Sequence, residues 1–235
     1  MPIPSYSGET CVAFLDIYGF KKLMERGIKA EEALDKFYST VFRINRDFNE
    51  IGINARKIRS LVVSDCSVIF VDNTGLTQDK VEDVKTVLRF VQKVNQELLV
   101  IDGSRSILTT CSADYGRFKY EDRIEFEGIG KDFFFGQPYV AAFLDNEKLK
   151  NKPGYCRIIG KNLRTLDDNL TIFPLSLLKT EGDYYYFYWM LNNLDELGSF
   201  QRRYEDVSES TYRNTAALLR SLGSSAGRSE SSDQS

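Results

Sequence analysis

Two aspartates stand where apolar runs end, and an acid in that position can hold a divalent cation. Asp16 directly follows residues 11–15, a continuous apolar run that predicts a strand buried on both faces. Gly19 comes three residues later, where a tight turn can begin a helix whose free N–H groups face a phosphate. On this stretch alone, Asp16 could equally be a helix cap.

The second aspartate, Asp65, lies between two short apolar runs, residues 61–63 and 66–70. This pattern predicts a tight β-hairpin with Ser64 and Asp65 at its tip. If the hairpin pairs with the strand before Asp16, both carboxylates lie at one end of one sheet. Two carboxylates that close repel each other unless a cation lies between them. Oxygen ligands suit Mg²⁺ or Mn²⁺, which proteins usually share with substrate phosphates.

The composition excludes several other site chemistries. The 235 residues include no histidine, which rules out His-dependent triads, Cys–His catalysis and His-ligated zinc. The formal net charge of −3 gives no bulk basicity of the kind that marks nucleic-acid binding. The four cysteines at positions 11, 66, 111 and 156 form no Cys-x-x-Cys pair. We interpret them as buried thiols in a reducing compartment.

No segment of the sequence predicts insertion into a membrane or export. Apolar runs fall well short of the ~20 residues that span a bilayer. The first ten residues, MPIPSYSGET, lack the basic start and apolar core of a signal peptide. We therefore expect a cytoplasmic protein that binds neither membranes nor nucleic acids.

Hydrophobic periodicity predicts the elements that position the two aspartates. We expect a strand over 9–16, a helix from near Gly19 to around Gly27, a helix over 29–49, a hairpin over 54–72, a helix from a Thr77 cap to 99, a strand over 106–115 that ends at Gly116, its hairpin partner over 118–128, a helix over 136–149, and strands near 155–160, 171–173 and 183–190. This order is typical of a ferredoxin-like α+β fold, with an antiparallel-rich sheet and helices packed on it.

The same patterns predict the domain boundaries. We expect a flexible lead over residues 1–8, one domain over 9–192 and a C-terminal helical extension over 193–222. Residues 223–235 are rich in serine and contain no large apolar side chain, so we predict that they are disordered.

The two aspartate motifs together resemble the class III nucleotide cyclases. Residues 14–20, FLDIYGF, resemble the family's F-x-D-I-x-G-F segment, and residues 62–70, VVSDCSVIF, resemble its metal-binding hairpin. Ser64 stands where the family usually has glycine. Residues 136–142, GQPYVAA, resemble the start of the family's helix after a G-x-x-V turn. The resemblance covers about residues 9–145 and implies the fold of a class III cyclase domain.

The resemblance implies a cyclase that makes a 3′,5′-cyclic monophosphate from a nucleoside triphosphate. Asp16 and Asp65 would be catalytic and would hold two divalent cations, Mn²⁺ or Mg²⁺, with the carbonyl of Ile17 completing one site. The backbone of Ile17, Tyr18, Gly19 and Phe20 would bind the β- and γ-phosphates. Because the family's site lies between two domains packed head to tail, a homodimer with two equivalent sites is implied.

The chain departs from the family at three positions that usually carry catalytic polar groups. Val140 stands at the Asn position, Leu144 at one Arg position and Thr110 at another. Arg117, Lys119 and Lys131 are alternative sources of positive charge, although each also suits a solvated surface.

The purine-reading positions are also changed, since Leu61 and Phe133 stand there. Compact cyclases with a loosened base pocket resemble the Pycsar family of bacterial antiphage defence, which makes cyclic UMP or cyclic CMP. This resemblance implies UTP or CTP as substrate and a separate cyclic-nucleotide effector protein. Arg56 and Arg59 are candidates, with Phe133, for reading the base. The alternatives are a purine cyclase with an unusual pocket and an inactive cyclase-like domain used for dimerisation or nucleotide sensing.

Overall fold

The computed structural model describes residues 5–25, 28–50, 56–99, 107–126, 129–149, 154–163, 174–192 and 194–196. The strands within these ranges are β1 (Tyr6–Ile17), β2 (Lys57–Val63), β3 (Cys66–Asp72), β4 (Thr109–Phe126), β5 (Ile129–Gly136), β6 (Cys156–Ile159), β7 (Leu178–Glu181) and β8 (Tyr184–Phe187). The α-helices are α1 (Phe20–Met24), α2 (Ile28–Glu50), α3 (Lys80–Leu98) and α4 (Gln137–Glu147). Short 3₁₀ turns occupy Gly160–Asn162, Leu175–Leu177 and Leu194–Glu196.

The strands form one sheet in the order β2-β3-β1-β4-β6-β8-β7, and β5 pairs with β4 outside this path. Among the described pairings, β4 with β6 is parallel and the others are antiparallel. Helices pack on both faces of this sheet, as described below. These features confirm the predicted α+β fold with an antiparallel-rich sheet.

The apolar run of β1 lies at the centre of the sheet, between β3 and β4. Its side chains alternate between the two faces, as the pleat of a strand requires. Cys11, Ala13 and Leu15 join a core that α1, α2 and α3 cover, and we call this side the three-helix face. Val12 and Phe14 join a second core on the opposite side, which α4 covers and which we call the α4 face.

The three-helix face holds the larger core, because two long amphipathic helices pack on it. Phe37 and Val41 of α2 and Phe90 and Val91 of α3 are fully buried there. The side chain of Asn49 also bonds the backbone of Ile58 in both directions, at 3.0 Å each, and so ties α2 to the edge strand β2.

The α4 face is covered less completely. Its buried residues include Val68, Phe70 and Phe118, packed beneath Ala142 of α4. Large apolar side chains of α4 remain partly exposed, with 49 % of Val140, 38 % of Phe143 and 55 % of Leu144 accessible, although the ring of Phe143 also lies 5.3 Å from that of Phe14. We call these three residues the α4 stripe.

Several predicted boundaries differ from the structure. β1 begins at Tyr6 rather than at residue 9, so residues 6–8 belong to the strand. The Thr77 cap is wrong, because Asp79 caps α3 by accepting a hydrogen bond from the N–H of Glu82. β4 continues past Gly116 instead of ending there. A Cβ at Gly116 would lie 3.3 Å from Cδ of Pro138, so the small residue makes room for the start of α4.

The last strands of the sheet also differ from the prediction. The predicted strand over 183–190 ends at Phe187, because Trp189 turns away and its indole N–H donates to the carbonyl of Gly154 at 2.7 Å. β7 is an additional strand that we did not predict. The predictions for 171–173, for the terminal tail and for most of the C-terminal extension fall outside the described residues. None of the described helices is both long and apolar enough to cross a membrane.

Candidate active site

The two predicted carboxylates lie at the same end of the sheet. The register pairs Asp16 with Cys66 of β3 and with Thr110 of β4. The N–H of Ile17 donates to the carbonyl oxygen of Asp65 at 3.0 Å, so the hairpin tip is tied directly to the end of β1. Asp16 and Asp65 are both half-buried. The structure therefore brings together the two residues that the sequence singled out.

The Asp16 side chain belongs to the α4 face. Residues directly opposite each other in an antiparallel pair share a face, and both Phe14 and Cys66 contact the core on that side. The Cys66 thiol lies near both carboxylates, since burial and then the charges of Asp16 and Asp65 raise its pKa to about 12. The negative charge of the two aspartates thus converges on one small region.

The chain turns sharply after β1. Gly19 has φ 75° and precedes the first residue of α1. A Cβ there would meet no atom within 4 Å, so the glycine is needed for its left-handed backbone and not for space. This turn is what places a helix start immediately beyond the carboxylates.

The predicted phosphate-binding backbone is partly committed to the fold. The N–H of Ile17 bonds Asp65, and the N–H of Tyr18 donates to the carbonyl of Leu108 at 2.8 Å. These two N–H groups are therefore unable to face a phosphate. The N–H groups of Gly19 and Phe20 lie at the start of α1, where a helix supplies no internal partner. Of the four predicted phosphate-binding residues, Gly19 and Phe20 therefore remain candidates for backbone contacts with a phosphate.

The donor set at this end of the sheet suits a hard divalent cation. Asp16 and Asp65 supply carboxylate oxygens, and the end of β1 supplies the carbonyl of Ile17. Within the described ranges, no group of three or more His, Cys, Asp or Glu side chains could enclose a metal. Such a site fits Mg²⁺ or Mn²⁺, which take their remaining ligands from substrate phosphates and water.

Gly136 fixes where α4 begins. Its φ is 151°, and a Cβ there would lie 2.4 Å from the carbonyl oxygen of Arg117 and 2.9 Å from Cα of Phe118. Pro138 follows in the first turn, where a missing N–H costs nothing. The helix is therefore packed tightly on β4, and its residue Tyr139 lies beside Phe14, with the ring centres 6.5 Å apart.

The positions of the family's catalytic Asn and Arg carry no polar group here. Val140 and Leu144 belong to the exposed α4 stripe. Thr110 lies directly across from Asp16, and only 2 % of its surface is exposed. Its side chain is neutral and supplies no positive charge.

The alternative cations lie elsewhere in a single chain. Tyr115 contacts the three-helix core, so Arg117 and Lys119 share its side of β4 by alternation and point away from Asp16. Lys119 pairs with Glu121, and its amine lies 6.0 Å from the ring centre of Phe135. The side chain of Lys131 is outside the described residues.

The proposed base-reading residues have other contacts. Arg56 donates to Asp83 at 2.7 Å and to the carbonyl of Thr77 at 2.6 Å, and Arg59 donates to Asp72 at 2.9 Å. Both arginines lie at or near the start of β2, whereas Asp65 follows its end. We therefore assign them to structural ion pairs rather than to the base.

Phe133 is 42 % exposed and lies on β5, with its ring 5.4 Å from that of Phe135. Because Phe134 packs on the α4 core, its neighbours Phe133 and Phe135 point to the opposite side of the strand. In a single chain, Phe133 does not face the carboxylates.

Sequence reasoning missed a buried ion pair on the α4 face. Arg157 of β6 donates two hydrogen bonds of 2.8 Å to Asp145 of α4, and the Ser112 hydroxyl adds one of 2.6 Å. A signal was present, because Asp145 follows Ala142 at helical spacing on the buried side of α4. A carboxylate in that position needs a buried partner. The pair anchors the second half of α4 to β4 and β6.

No protein-family model and no curated protein matches this chain. Solved structures do match, at low sequence identity. The guanylate cyclase domain of RhGC from Catenaria anguillulae in complex with GTP has a TM-score of 0.55 and 14 % identity, covering 79 % of this chain and 98 % of that one. The catalytic core of a rhodopsin-guanylyl cyclase with converted specificity, in complex with ATPαS, has a TM-score of 0.54 and 14 % identity, covering 78 % and 96 %.

A bacterial light-regulated adenylyl cyclase gives a TM-score of 0.58 at 13 % identity, covering 93 % of this chain and 58 % of that one. These matches agree with the mixed sheet and with the helices packed on it. The chain has the fold of the class III nucleotide cyclase catalytic domains.

Proposed function

We propose that this protein is a nucleotide cyclase that converts a nucleoside triphosphate to its 3′,5′-cyclic monophosphate and pyrophosphate. The observation that carries the proposal is the convergence of Asp16 and Asp65 at one end of a cyclase-like sheet, where the carbonyl of Asp65 bonds the N–H of Ile17 at 3.0 Å. Asp16 lies within β1, and the hairpin turn that carries Asp65 is tied to β1 by this backbone hydrogen bond, which suits a preorganised site.

In the proposed reaction, the ribose 3′-oxygen attacks the α-phosphorus and its proton passes to solvent. The bond from the α-phosphorus to the bridging oxygen breaks, and pyrophosphate leaves with the electron pair. Asp16, Asp65 and the carbonyl of Ile17 would hold two cations, which when bound lower the pKa of the hydroxyl and offset the phosphate charge. The N–H groups of Gly19 and Phe20 would bind the outer phosphates.

We further propose a pyrimidine substrate, UTP or CTP. Leu61 is only 6 % exposed and lies within the apolar core of the α4 face, and Phe133 is apolar as well. Neither side chain can hydrogen-bond a purine edge, so a purine gains no specific contact at these positions. The alternative, a purine cyclase with a different pocket, is equally consistent with the fold.

We also propose that the active form is a head-to-tail homodimer. The α4 stripe, Phe133 and Phe135 are large apolar side chains left exposed in a single chain. Exposed apolar groups of this size commonly mark an interface. A second copy would cover them and could also bring cations to the carboxylates. A cytoplasmic role in antiviral signalling, with a separate cyclic-nucleotide effector protein, completes the proposal.

The cyclase proposal is tested with purified protein, Mn²⁺ and each of the four nucleoside triphosphates, with the products identified by mass. We expect a cyclic monophosphate and pyrophosphate in equal amounts, and none from Asp16→Asn. Asp35→Asn is the matched control, because Asp35 is an exposed residue of α2. Absence of cyclic product with every nucleotide, or full activity in Asp16→Asn, would overturn the proposal.

The substrate is decided by competition among all four nucleotides in one tube. We expect UTP or CTP to be used about tenfold or more in preference to ATP and GTP. Cyclic AMP or cyclic GMP as the main product would refute the pyrimidine assignment and leave the cyclase assignment standing.

One observation favours a second function, nucleotide sensing without turnover. Val140 and Leu144 remove the polar groups that steady the reaction in the resembling family, so binding could persist where chemistry does not. A chain that binds a nucleoside triphosphate with Mn²⁺ but yields no product would support this second function.

A further inference from the structure

The helix α4 rests on the sheet mostly through small and polar side chains. Its buried residues are Pro138, Ala142, Asp145 and Asn146, whereas the large side chains of the α4 stripe are exposed. Proline and alanine bury little area, and apolar contact has no preferred direction. The crowding of Gly136 against β4 fixes where the helix begins. The second half of the helix therefore depends on buried polar side chains for its orientation.

The Asp145 carboxylate supplies contacts that do have a direction. The Arg157 guanidinium donates one hydrogen bond of 2.8 Å to each carboxylate oxygen, and the Ser112 hydroxyl donates a third of 2.6 Å. The two charged residues are almost completely buried, with 2 % of Asp145 and 5 % of Arg157 exposed. A two-point contact between planar groups fixes how each lies relative to the other.

Arg157 is itself held firmly on the sheet. It lies in β6, where the register places it opposite Ser112 of β4 and Tyr186 of β8. Its guanidinium lies 4.0 Å from the ring centre of Tyr184 and donates to the Tyr186 hydroxyl at 3.3 Å. Because three strands hold this side chain, the arginine is a fixed point against which α4 is oriented.

The pair is better suited to orienting α4 than to stabilising the fold. Taking two charges out of water costs about as much free energy as their attraction returns, so apolar residues of similar volume are often as stable or more stable. The ring of Phe143 also contacts Phe14, with the centres 5.3 Å apart, but an apolar contact tolerates a rotation that a two-point hydrogen bond does not. Because Leu144 directly precedes Asp145, the direction of the carboxylate sets the direction in which the α4 stripe faces.

We propose that Asp145 and Arg157 are positioning residues, which fix the rotation of α4 so that the α4 stripe presents one defined surface to a second copy of this chain. This inference rests on the proposed homodimer. The pair lies on the same face of the sheet as Asp16, and Ser112 stands two residues from Thr110, the partner of Asp16 in the register. The pair acts on turnover through α4 and the interface that it carries, without touching the substrate.

The test removes both charges at once, with Asp145→Leu and Arg157→Met in one chain. No unpaired charge is left buried, so the melting temperature should equal or exceed that of the wild type. Hydrogen exchange of the α4 amides should become about tenfold faster relative to the α3 amides, because the helix is held less firmly. The dimer dissociation constant from sedimentation should rise by about tenfold. Turnover at a protein concentration near the wild-type dissociation constant should fall with the dimer content.

Arg43→Gln with Glu97→Gln is the matched control, because this ion pair joins α2 to α3 on the other face of the sheet, with a hydrogen bond of 3.2 Å. The control should leave α4 exchange, dimerisation and turnover unchanged. If the chain without the Asp145–Arg157 pair keeps wild-type exchange in α4, or keeps wild-type dimer affinity, the inference is wrong. A much lower melting temperature with faster exchange throughout the chain would show that the pair merely stabilises the fold, and would also overturn it.

The wild-type chain separates this inference from the proposed function. A wild type that stays monomeric at every concentration overturns the inference together with the homodimer. A wild type that dimerises but makes no cyclic product overturns the cyclase proposal alone. In that case, the exchange and sedimentation measurements still decide the role of the pair.

Discussion

The two faces of the central sheet differ in what they bury, and β4 shows the difference most directly. Its residues on the three-helix face include Cys111, Ala113 and Tyr115, which join a large apolar core. Its residues on the α4 face include Thr110 and Ser112, which are polar and at most 2 % exposed. One strand therefore divides its side chains between a core that stabilises the fold and a layer that carries polar groups.

The helices follow the same division. Among the described helices, two long ones and one short one cover the three-helix face, whereas only α4 packs on the other, where its stripe is exposed. The carboxylates Asp16 and Asp65 and the Asp145–Arg157 pair all belong to the less covered side. Substitutions on the two faces should consequently separate stability from activity.

The largest expected effect is on the α4 face. Asp16→Asn and Asp65→Asn should each lower turnover by about a thousandfold or more, because two charged metal ligands are replaced by neutral amides. The melting temperature should change little, since neither carboxylate serves the core. Product formation and thermal unfolding are measured on the same preparations. Strong loss of stability in both variants would show that these acids are structural.

The reverse effect is expected on the three-helix face. Phe90→Ala should lower the free energy of unfolding by about 3–5 kcal/mol, because Phe90 is fully buried and its removal leaves a cavity. Activity per folded molecule should be retained at low temperature. Urea unfolding measures the loss, and Phe143→Ala on the α4 stripe is the comparison, expected to cost well under half as much in the monomer. Equal losses would contradict the division between the faces.

The exposed stripe should matter for assembly rather than folding. Val140→Lys with Leu144→Lys is expected to raise the dimer dissociation constant by about tenfold or more, because two charges would enter an apolar interface. Sedimentation at several concentrations measures this, and unfolding of the dilute protein should be unchanged. A double variant that sediments as a dimer with wild-type affinity would place the interface elsewhere.

The smallest effect is expected at Asp72, far from the carboxylate end. Burial acts to raise its pKa, but hydrogen bonds from Thr74 and Arg59 outweigh burial and leave the pKa lowered. The ionised carboxylate of Asp72 therefore stabilises the fold at pH values above its unfolded-state pKa of about 3.9. This stabilisation is lost as the pH falls through the lower pKa of the folded state. Asp72→Asn should cost about 1 kcal/mol at pH 7, and the difference from the wild type should shrink as the pH falls from about 3.9 through the lower pKa of the folded state.

Local patterns were enough to predict the centre of the molecule. The continuous apolar run of β1 and the short runs flanking Asp65 predicted a buried strand and a hairpin, and the structure meets the condition that the two pair. The same holds for α2 and α3, whose buried stripes repeat at helical spacing. The placement of Asp16 and Asp65 at one end of the sheet was correct for this reason.

What the sequence did not predict depends on contacts between distant segments. Gly116 resembles a strand end, but it lies inside β4 because Pro138 packs against it. Arg56 and Arg59 resemble free cations on an exposed strand, but Asp83 and Asp72 hold them. The Asp145–Arg157 pair was missed because it joins a helix to a strand that lies beyond it in the sequence, and no local pattern reveals that contact.

The crowding at Gly136 has a consequence for mutational tolerance. Any side chain there would strike the backbone of β4, so α4 would have to move as a whole. The exposed stripe and the Asp145 anchor would both move with that helix. In a library of single substitutions scored for turnover, position 136 should therefore tolerate as few residues as Asp16 and Asp65 do, although it contributes no side chain to the reaction.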